Sequence, residues 1–253
     1  MEFSEFIEVM AALREKCPWD RKQTHESLRP YLIEEAYEFL EAVEKGDQDA
    51  MREELGDVLL QILFHARLAE ERGDFDIHDV IDGIGQKMIS RHPHVFGDEN
   101  FETPEEVVDQ WEERKKEEGK LRDSILEGVP EAMPALLRAQ RLQGRAAKVG
   151  FDWERIDHVM DKVEEEFREF REALHQKDLD KVEDELGDIL FAMVNVARFA
   201  KVNSEDALRR TIAKFIRRFR HIEMTATEQG KGLRDMSLDE MEALWTEAKD
   251  TED

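Results

Sequence analysis

The 253-residue chain carries 62 acidic and 37 basic residues, which gives a formal net charge of −25. This charge repels phosphate groups at long range, so we expect neither duplex nucleic acid nor a membrane surface as a partner. With 40% apolar and 39% charged residues, the composition is typical of amphipathic helices and excludes a disordered chain.

The sequence contains one cysteine, Cys17, which excludes an internal disulfide and a cysteine-rich zinc site. The acidic segment Met1–Phe6 has neither the basic nor the apolar region of a signal peptide. No stretch approaches the roughly 18 consecutive apolar residues of a membrane-spanning helix. We therefore expect a cytoplasmic protein.

Two segments show apolar residues at helical spacing. The first stripe is Leu32, Ala36, Phe39, Leu40 and Val43, and the second is Val159, Val163, Phe167, Phe170 and Leu174. Each stripe predicts an amphipathic helix, and no segment alternates convincingly like a half-buried strand. Capping boxes at Thr103–Glu106 and Ser237–Glu240 indicate two further helix starts. These patterns predict an all-α fold.

The prolines and glycines divide the chain into two parts. All six prolines lie in the first 134 residues, and the stretch Gly119–Pro134 combines two glycines with two prolines. Because both residue types interrupt helices, we predict a linker at 120–134 between domains at 1–119 and 135–253.

An internal repeat relates the two parts. When the sequence is shifted by 131 residues, Glu34–Arg67 aligns with Glu165–Arg198 without a gap, and 15 of the 34 positions are identical. This period is far longer than that of a solenoid repeat, so the repeat indicates a duplicated domain.

Acidic residues repeat in register within both copies, as Glu-Glu-x-x-Glu followed by Glu-Leu-Gly-Asp. The first copy contains Glu34, Glu35, Glu38, Glu54 and Asp57, and the second contains Glu165, Glu166, Glu169, Glu185 and Asp188. Residues three apart share a helix face, and a helical hairpin would place the two acidic pairs opposite each other. Converging carboxylates repel unless a cation neutralises them, and oxygen ligands suit Mg²⁺ or Mn²⁺.

Two other interpretations of these acids stay open. The glutamates could simply cover solvated helix faces, or they could form a di-iron site, for which only Glu172 and His175 supply a Glu-x-x-His pair. The repeated glycines Gly56 and Gly187 are costly inside helices, so we expect a close helix contact beside the acids.

The acidic pattern resembles the signature of the MazG nucleoside triphosphate pyrophosphohydrolases. Further similar blocks are Cys17–Asp20 with Gln23–His25 and Pro30–Tyr31, then Arg91–Phe96, and Val149–Trp153. The resemblance covers essentially the whole chain, including its tandem arrangement. It implies an all-α, dimeric enzyme of duplicated helical bundles whose four-helix-bundle-like sites are completed in the homodimer. Such an enzyme hydrolyses nucleoside triphosphates to monophosphate and pyrophosphate with Mg²⁺, mainly in the C-terminal copy.

The resemblance also implies roles for individual residues. The Mg²⁺ ligands would be Glu166, Glu169, Glu185 and Asp188, with a second candidate site at Glu35, Glu38, Glu54 and Asp57. The nucleotide contacts would be Lys162, Lys181, Asp184, Lys214, Arg218 and Trp245. For the reaction itself we hypothesise that one acid, Glu165 or Glu166, orients or deprotonates the attacking water.

The residues themselves support a polyphosphate ligand in the second copy. Lys214 and Arg218 lie near one face of a predicted helix, although a solvated basic face would show the same spacing. The first copy has Ala50 in place of Lys181 and Phe64 in place of Asn195, which predicts weaker nucleotide binding there. The alternative function is a nucleotide-sensing or protein-interaction module with little turnover.

Overall fold

The computed structural model describes residues 1–101, 103, 106, 107, 110 and 124–251. The chain divides into two compact units, Met1–Lys120 and Leu121–Asp253. Every regular element in the described ranges is helical, which confirms the predicted all-α fold. None of the described helices is both long enough and apolar enough to cross a membrane.

The helices of each unit follow one another through short connections. The first unit contains α1 (Phe3–Lys16), a 3₁₀ turn (Asp20–Lys22), α2 (His25–Lys45), α3 (Gln48–Arg72), α4 (Ile77–Arg91) and α5 (Pro93–Phe96). The second contains α6 (Ala135–Ala147), α7 (Ile156–Gln176), α8 (Leu179–Phe199), α9 (Ser204–Glu228), a 3₁₀ turn (Leu233–Asp235) and α10 (Leu238–Asp250).

The repeat forms the same helical hairpin twice, α2 with α3 and α7 with α8. Gly46 ends α2 in the left-handed conformation at φ 67°, and the aligned Lys177 ends α7 at φ 57°. The next residue caps the following helix in both copies. Asp47 accepts hydrogen bonds from two backbone N–H groups of α3, and Asp178 accepts one from Lys181 in α8. The duplicated aspartate therefore fixes where the second helix of each hairpin begins.

Each unit buries its own small apolar core. In the first unit the core comprises Met10, Leu28, Leu63, Phe64, Ala66, Leu68 and Ile77. In the second unit the buried apolar residues include Val159, Val163, Ala173, Ile189, Val194 and Ile222. These residues come from several helices, so each hairpin depends on packing against its own unit.

The predicted apolar stripes are covered only in part. Val159 and Val163 are buried, whereas Phe167 and Leu174, farther along the same stripe, are exposed. Leu40 and Val43 are likewise exposed on α2. The described part of the chain therefore leaves about half of each apolar stripe uncovered.

The structure confirms one predicted capping box and contradicts the contact expected at two glycines. The Ser237–Glu240 box starts α10 as predicted. At the other box the Glu106 N–H donates to Thr103 Oγ1 at 3.3 Å, while Pro104 and Glu105 lie outside the described residues. The expected close helix contact at Gly56 and Gly187 was wrong for the described chain, because a Cβ at either position meets no atom within 4 Å.

Part of the predicted linker packs onto the second unit. Arg145 of α6 donates hydrogen bonds to the carbonyls of Ile125 and Glu127. Residues 120–123 and Gly119, which belong to the predicted boundary, lie outside the described residues.

Candidate functional site

Three acidic side chains converge between α7 and α8, and we call them the second-unit triad. Glu166 lies on α7, and Glu185 and Asp188 lie three residues apart on one face of α8. Ligand oxygens of the three carboxylates lie within 4.8 Å of one another. Glu166 is 5% exposed and Glu185 is 8% exposed, so two of the three carboxylates are buried.

The electrostatics of the triad favour a cation. Burial raises the pKa of Glu185 above its usual value, and the negative charges of Glu169, Glu166 and Asp188 raise it further, while Lys181 acts in the opposite direction. Among the described residues, Glu185 Oε2 is buried without a hydrogen-bond partner. A buried carboxylate oxygen without a donor is costly, and a bound cation would remove that cost.

Lys162 is the positive group bound directly to this cluster. Its ammonium lies 2.8 Å from Glu166 Oε1 and 3.1 Å from Glu165 Oε1, one helical turn along α7. Both hydrogen bonds raise the pKa of Lys162, which keeps it charged. Glu165 therefore shares Lys162 with Glu166 but lies outside the triad.

Glu169, the fourth predicted metal ligand, is not one of the three converging carboxylates. After burial, its negative charge is nevertheless the largest cause of the raised pKa of Glu185. The structure therefore places Glu169 beside the triad, and its predicted role as a ligand stays a prediction.

The first unit contains a corresponding cluster, formed by Glu35, Glu38 and Glu54, whose ligand oxygens also lie within 4.8 Å of one another. Burial raises the pKa of Glu35 and of Glu54, and neighbouring acids, including Asp57, raise both further. Asp57 is outside the converging group. In this cluster none of the three carboxylates is fully buried, in contrast to the second-unit triad.

A cavity of about 820 Å³ opens beside the second-unit triad. Lys162, Glu166 and Asp188 line it, and farther along α8 so do Phe191, Ala192 and Asn195. Arg198 lines it at the end of α8, and its remaining walls come from α6, from the segment before α6 and from the residues before α7. These remaining residues include Leu126, Leu142, Gln143, Phe151, Asp152 and Trp153. The cavity therefore joins an acidic end to a wall of aromatic and amide side chains.

A charged network that we did not predict fixes the side-chain amide of Asn195. Arg198 pairs through both terminal nitrogens with the carboxylate of Asp152, and its Nε donates to Asn195 Oδ1 at 3.0 Å. The bond from Arg198 is the main reason why the pKa of Asp152 lies below its usual range. Two signals could have indicated it: Arg198 repeats Arg67, and Asp152 lies in the Val149–Trp153 block.

Of the predicted nucleotide contacts, only Lys162 lines this cavity. Lys181 and Asp184 lie on the first turns of α8. Lys214 and Arg218 lie on α9, where the Arg218 guanidinium lies 5.5 Å from the Trp245 ring centroid. The structure thus brings Arg218 and Trp245 together but separates them from the cavity lining.

A sequence profile of the "MazG nucleotide pyrophosphohydrolase domain" matches residues 23–96 and 155–223. The chain belongs to the MazG family. The first MazG match contains the cluster of Glu35, Glu38 and Glu54, and the second contains the second-unit triad. The domain duplication predicted from the internal repeat and the tandem MazG arrangement implied by the resemblance are therefore confirmed.

Several relatives are similar to this chain over nearly its full length. "Nucleoside triphosphate pyrophosphohydrolase/pyrophosphatase MazG" of Thermotoga maritima is 46% identical over 250 residues, which cover 98% of this chain and 95% of that protein. "Nucleoside triphosphate pyrophosphohydrolase" of Escherichia coli K12 is 42% identical, covering 98% and 97%. "Uncharacterized protein YabN" of Bacillus subtilis is 52% identical, covering 99% of this chain but 52% of that protein.

Among solved structures, a mazG-related protein from Thermotoga maritima is 34% identical to this chain. The match covers 45% of this chain and 98% of that one, with a TM-score of 0.41.

Proposed function

We propose that the second unit hydrolyses nucleoside triphosphates to nucleoside monophosphate and pyrophosphate. The main observation behind this proposal is that the second-unit triad lies at one end of a nucleotide-sized cavity. One carboxylate oxygen of the triad is buried and has no partner among the described residues. Family membership supports it, since two relatives covered over nearly their full length are named nucleoside triphosphate pyrophosphohydrolases.

The donor set of the triad fits a hard divalent cation. All its ligand atoms are carboxylate oxygens, which Mg²⁺ and Mn²⁺ prefer over softer ligands. Glu166, Glu185 and Asp188 would hold the ion, with Glu169 beside them. When bound, Mg²⁺ supplies charge neutralisation for the triphosphate oxygens.

The chain's own residues supply the remaining parts of the reaction. Lys162 lines the cavity beside the triad, where its ammonium can neutralise a phosphate oxygen. Glu165 is bonded to Lys162 but lies outside the triad, so we assign it to the attacking water. The water oxygen bonds to the α-phosphorus while the bond between this phosphorus and the oxygen bridging to the β-phosphate breaks. Pyrophosphate leaves with the bridging oxygen, and Glu165 accepts the proton of the water.

We propose that a second copy of the chain completes this site. Leu186 and Leu190 are each about half exposed on one face of α8, and Phe215 is 55% exposed on α9. Burial of such a face between two copies is favourable by roughly 25 cal/mol per Å² of apolar surface. The proposed dimer is tested by sedimentation or light scattering of the full chain, and a monomer at every concentration would reject it.

The decisive experiment identifies the products. The purified full chain is incubated with each nucleoside triphosphate and Mg²⁺, and pyrophosphate and orthophosphate are measured separately. We expect pyrophosphate, and release of orthophosphate alone would reject this reaction type. Glu185→Gln should abolish turnover, since it removes a buried carboxylate of the triad.

The first unit is a candidate for the alternative function, a nucleotide-sensing module with little turnover. Phe64 is 3% exposed where the aligned residue of the second unit is Asn195, so a phenyl ring fills that position. Glu54→Gln is the matched control for Glu185→Gln, because the two glutamates align in the repeat. We expect Glu54→Gln to retain most turnover, and equal losses in both variants would contradict this ranking of the units.

A further inference from the structure

We propose that the cavity beside the second-unit triad binds the nucleobase, and that Gln143 and Asn195 select bases with a carbonyl group over bases with an amino group. The favoured bases are guanine, hypoxanthine, uracil and thymine, and the disfavoured ones are adenine and cytosine. This inference rests on the proposed function, since it names the substrate class of the same site.

Gln143 lines the cavity and carries a buried hydrogen-bond acceptor that has no partner among the described residues. Its Nε2 donates to the carbonyl of Phe191 at 2.8 Å, which fixes the orientation of the amide. The side-chain oxygen then lies on the other side of the amide, where it is buried without a partner among the described residues. Gln143 is 8% exposed and lines the cavity, so a donor group of a bound ligand, such as a ring N–H, can satisfy this oxygen.

Asn195 presents the opposite group. Its Oδ1 accepts two hydrogen bonds from Arg198, from Nε at 3.0 Å and from Nη2 at 2.7 Å. A guanidinium has donors and no acceptor, so the amide oxygen has to face Arg198 and the NH₂ group faces away from it. The carboxylate of Asp152 holds Arg198 in turn. The amide of Asn195 therefore cannot turn over to suit a different ligand without losing both bonds.

Gln143 and Asn195 are connected through the same turn of α8. The Phe191 carbonyl that Gln143 binds is four residues before Asn195, so it is also the helical partner of the Asn195 N–H. Asp188, Ala192 and Asn195 follow one face of α8, and Asp188 and Asn195 are about 10 Å apart along the axis. That separation matches the reach of a nucleoside from its 5′-phosphate to the far edge of the base.

This order of acceptor and donor distinguishes two classes of base. The exocyclic group at C6 of a purine or C4 of a pyrimidine lies farther from the sugar than the neighbouring ring nitrogen. It therefore meets the NH₂ group of Asn195, while the ring nitrogen meets the oxygen of Gln143. A carbonyl beside a ring N–H satisfies both amides, whereas an amino group beside an unprotonated nitrogen would set donor against donor and acceptor against acceptor.

Aromatic side chains complete the proposed base site. Phe151, Trp153 and Phe191 line the same cavity, and each is at least 43% exposed, so their rings are accessible. Stacking on such rings tolerates any base. We therefore assign the discrimination between the two classes of base to the side-chain amides of Gln143 and Asn195.

The test compares kcat/KM of the full chain for GTP, ITP and UTP with that for ATP and CTP. We expect a preference on the order of tenfold for GTP over ATP, and for UTP over CTP, because each mismatch leaves buried polar groups unpaired. ITP should behave like GTP, since it shares the carbonyl and the ring N–H. Equal values for all five triphosphates would overturn the inference.

Two variants test the residues themselves. Asn195→Asp removes the NH₂ donor and should bring the GTP-to-ATP ratio to about one or below. Gln143→Leu should lower kcat/KM for GTP more than for ATP. Both variants should lower turnover of ribose 5-triphosphate, which has no base, much less than they lower turnover of GTP. A loss of ribose 5-triphosphate turnover equal to the loss with GTP would contradict a role in base recognition.

Gln140→Leu provides a matched control on the same helix. The side chain of Gln140 donates to the Val202 carbonyl and lies outside the cavity lining, so its replacement should leave the ratio unchanged. Binding of GMP and AMP, measured by calorimetry without turnover, separates the two proposals. Preferential GMP binding in a protein that hydrolyses no triphosphate would reject the proposed function and support the base site, whereas equal binding would reject the base site.

Discussion

Replacement of Gly187 by alanine tests what surrounds the acidic face of α8. Gly187 lies between Leu186 and Asp188 in the helix interior, where glycine is less favourable than alanine by about 1 kcal/mol. A Cβ built at this position meets no atom within 4 Å. We therefore expect Gly187→Ala to raise the free energy of unfolding of the ligand-free chain by about 1 kcal/mol, or Tm by about 2 to 4 °C.

The assay is thermal or denaturant unfolding of the full chain, with Gly56→Ala as the matched variant. Gly56 occupies the aligned position of α3 and also has no atom within 4 Å of a built Cβ. Both variants should gain stability, because nothing within the described chain opposes the added methyl group. A loss of stability in Gly187→Ala alone would refute the reasoning, since it would show that a group other than the described residues, such as a second copy of the chain, packs against this glycine.

Three further predictions concern charge and backbone conformation. Glu185→Gln should abolish the rise of Tm on addition of Mg²⁺. The same variant should raise Tm of the metal-free chain at pH 7, because a carboxyl group whose pKa is raised by folding destabilises the fold once it ionises. That gain should shrink as the pH falls towards 4.5, the ordinary value for a glutamate, and a gain that grew instead would contradict the assigned cause. Lys177→Gly should raise the free energy of unfolding by about 0.5 to 1 kcal/mol, because Lys177 has a φ of 57°, which glycine adopts without strain. Gly46→Lys, at a φ of 67°, should lower the free energy of unfolding by a similar amount. Equal free energies in the wild type and both variants would refute the strain argument. Arg198→Lys should lower the free energy of unfolding, measured with denaturant, by about 1 to 2 kcal/mol, because lysine cannot bridge Asp152 and Asn195 with one planar group. An unchanged unfolding midpoint would show that the network does not contribute to stability.

The sequence alone determined the helical class, the duplication and the identity of the acids. Those features are local or periodic: apolar residues at helical spacing predict helices, and a repeat of 34 aligned positions is visible without coordinates. The spacing of Glu185 and Asp188 places both carboxylates on one helix face in any α-helix. Such inferences need only the geometry of a single element.

Which groups meet, and which are left without partners among the described residues, depends on how the helices pack. The packing of α7 on α8 selects Glu166, Glu185 and Asp188 as the converging set, and Glu169 lies beside it. Likewise the bond from Gln143 to α8 joins residues 48 positions apart, and the bidentate pair of Asp152 and Arg198 joins residues 46 apart. No sequence period encodes such contacts, because they depend on how separate helices rotate and pack against one another.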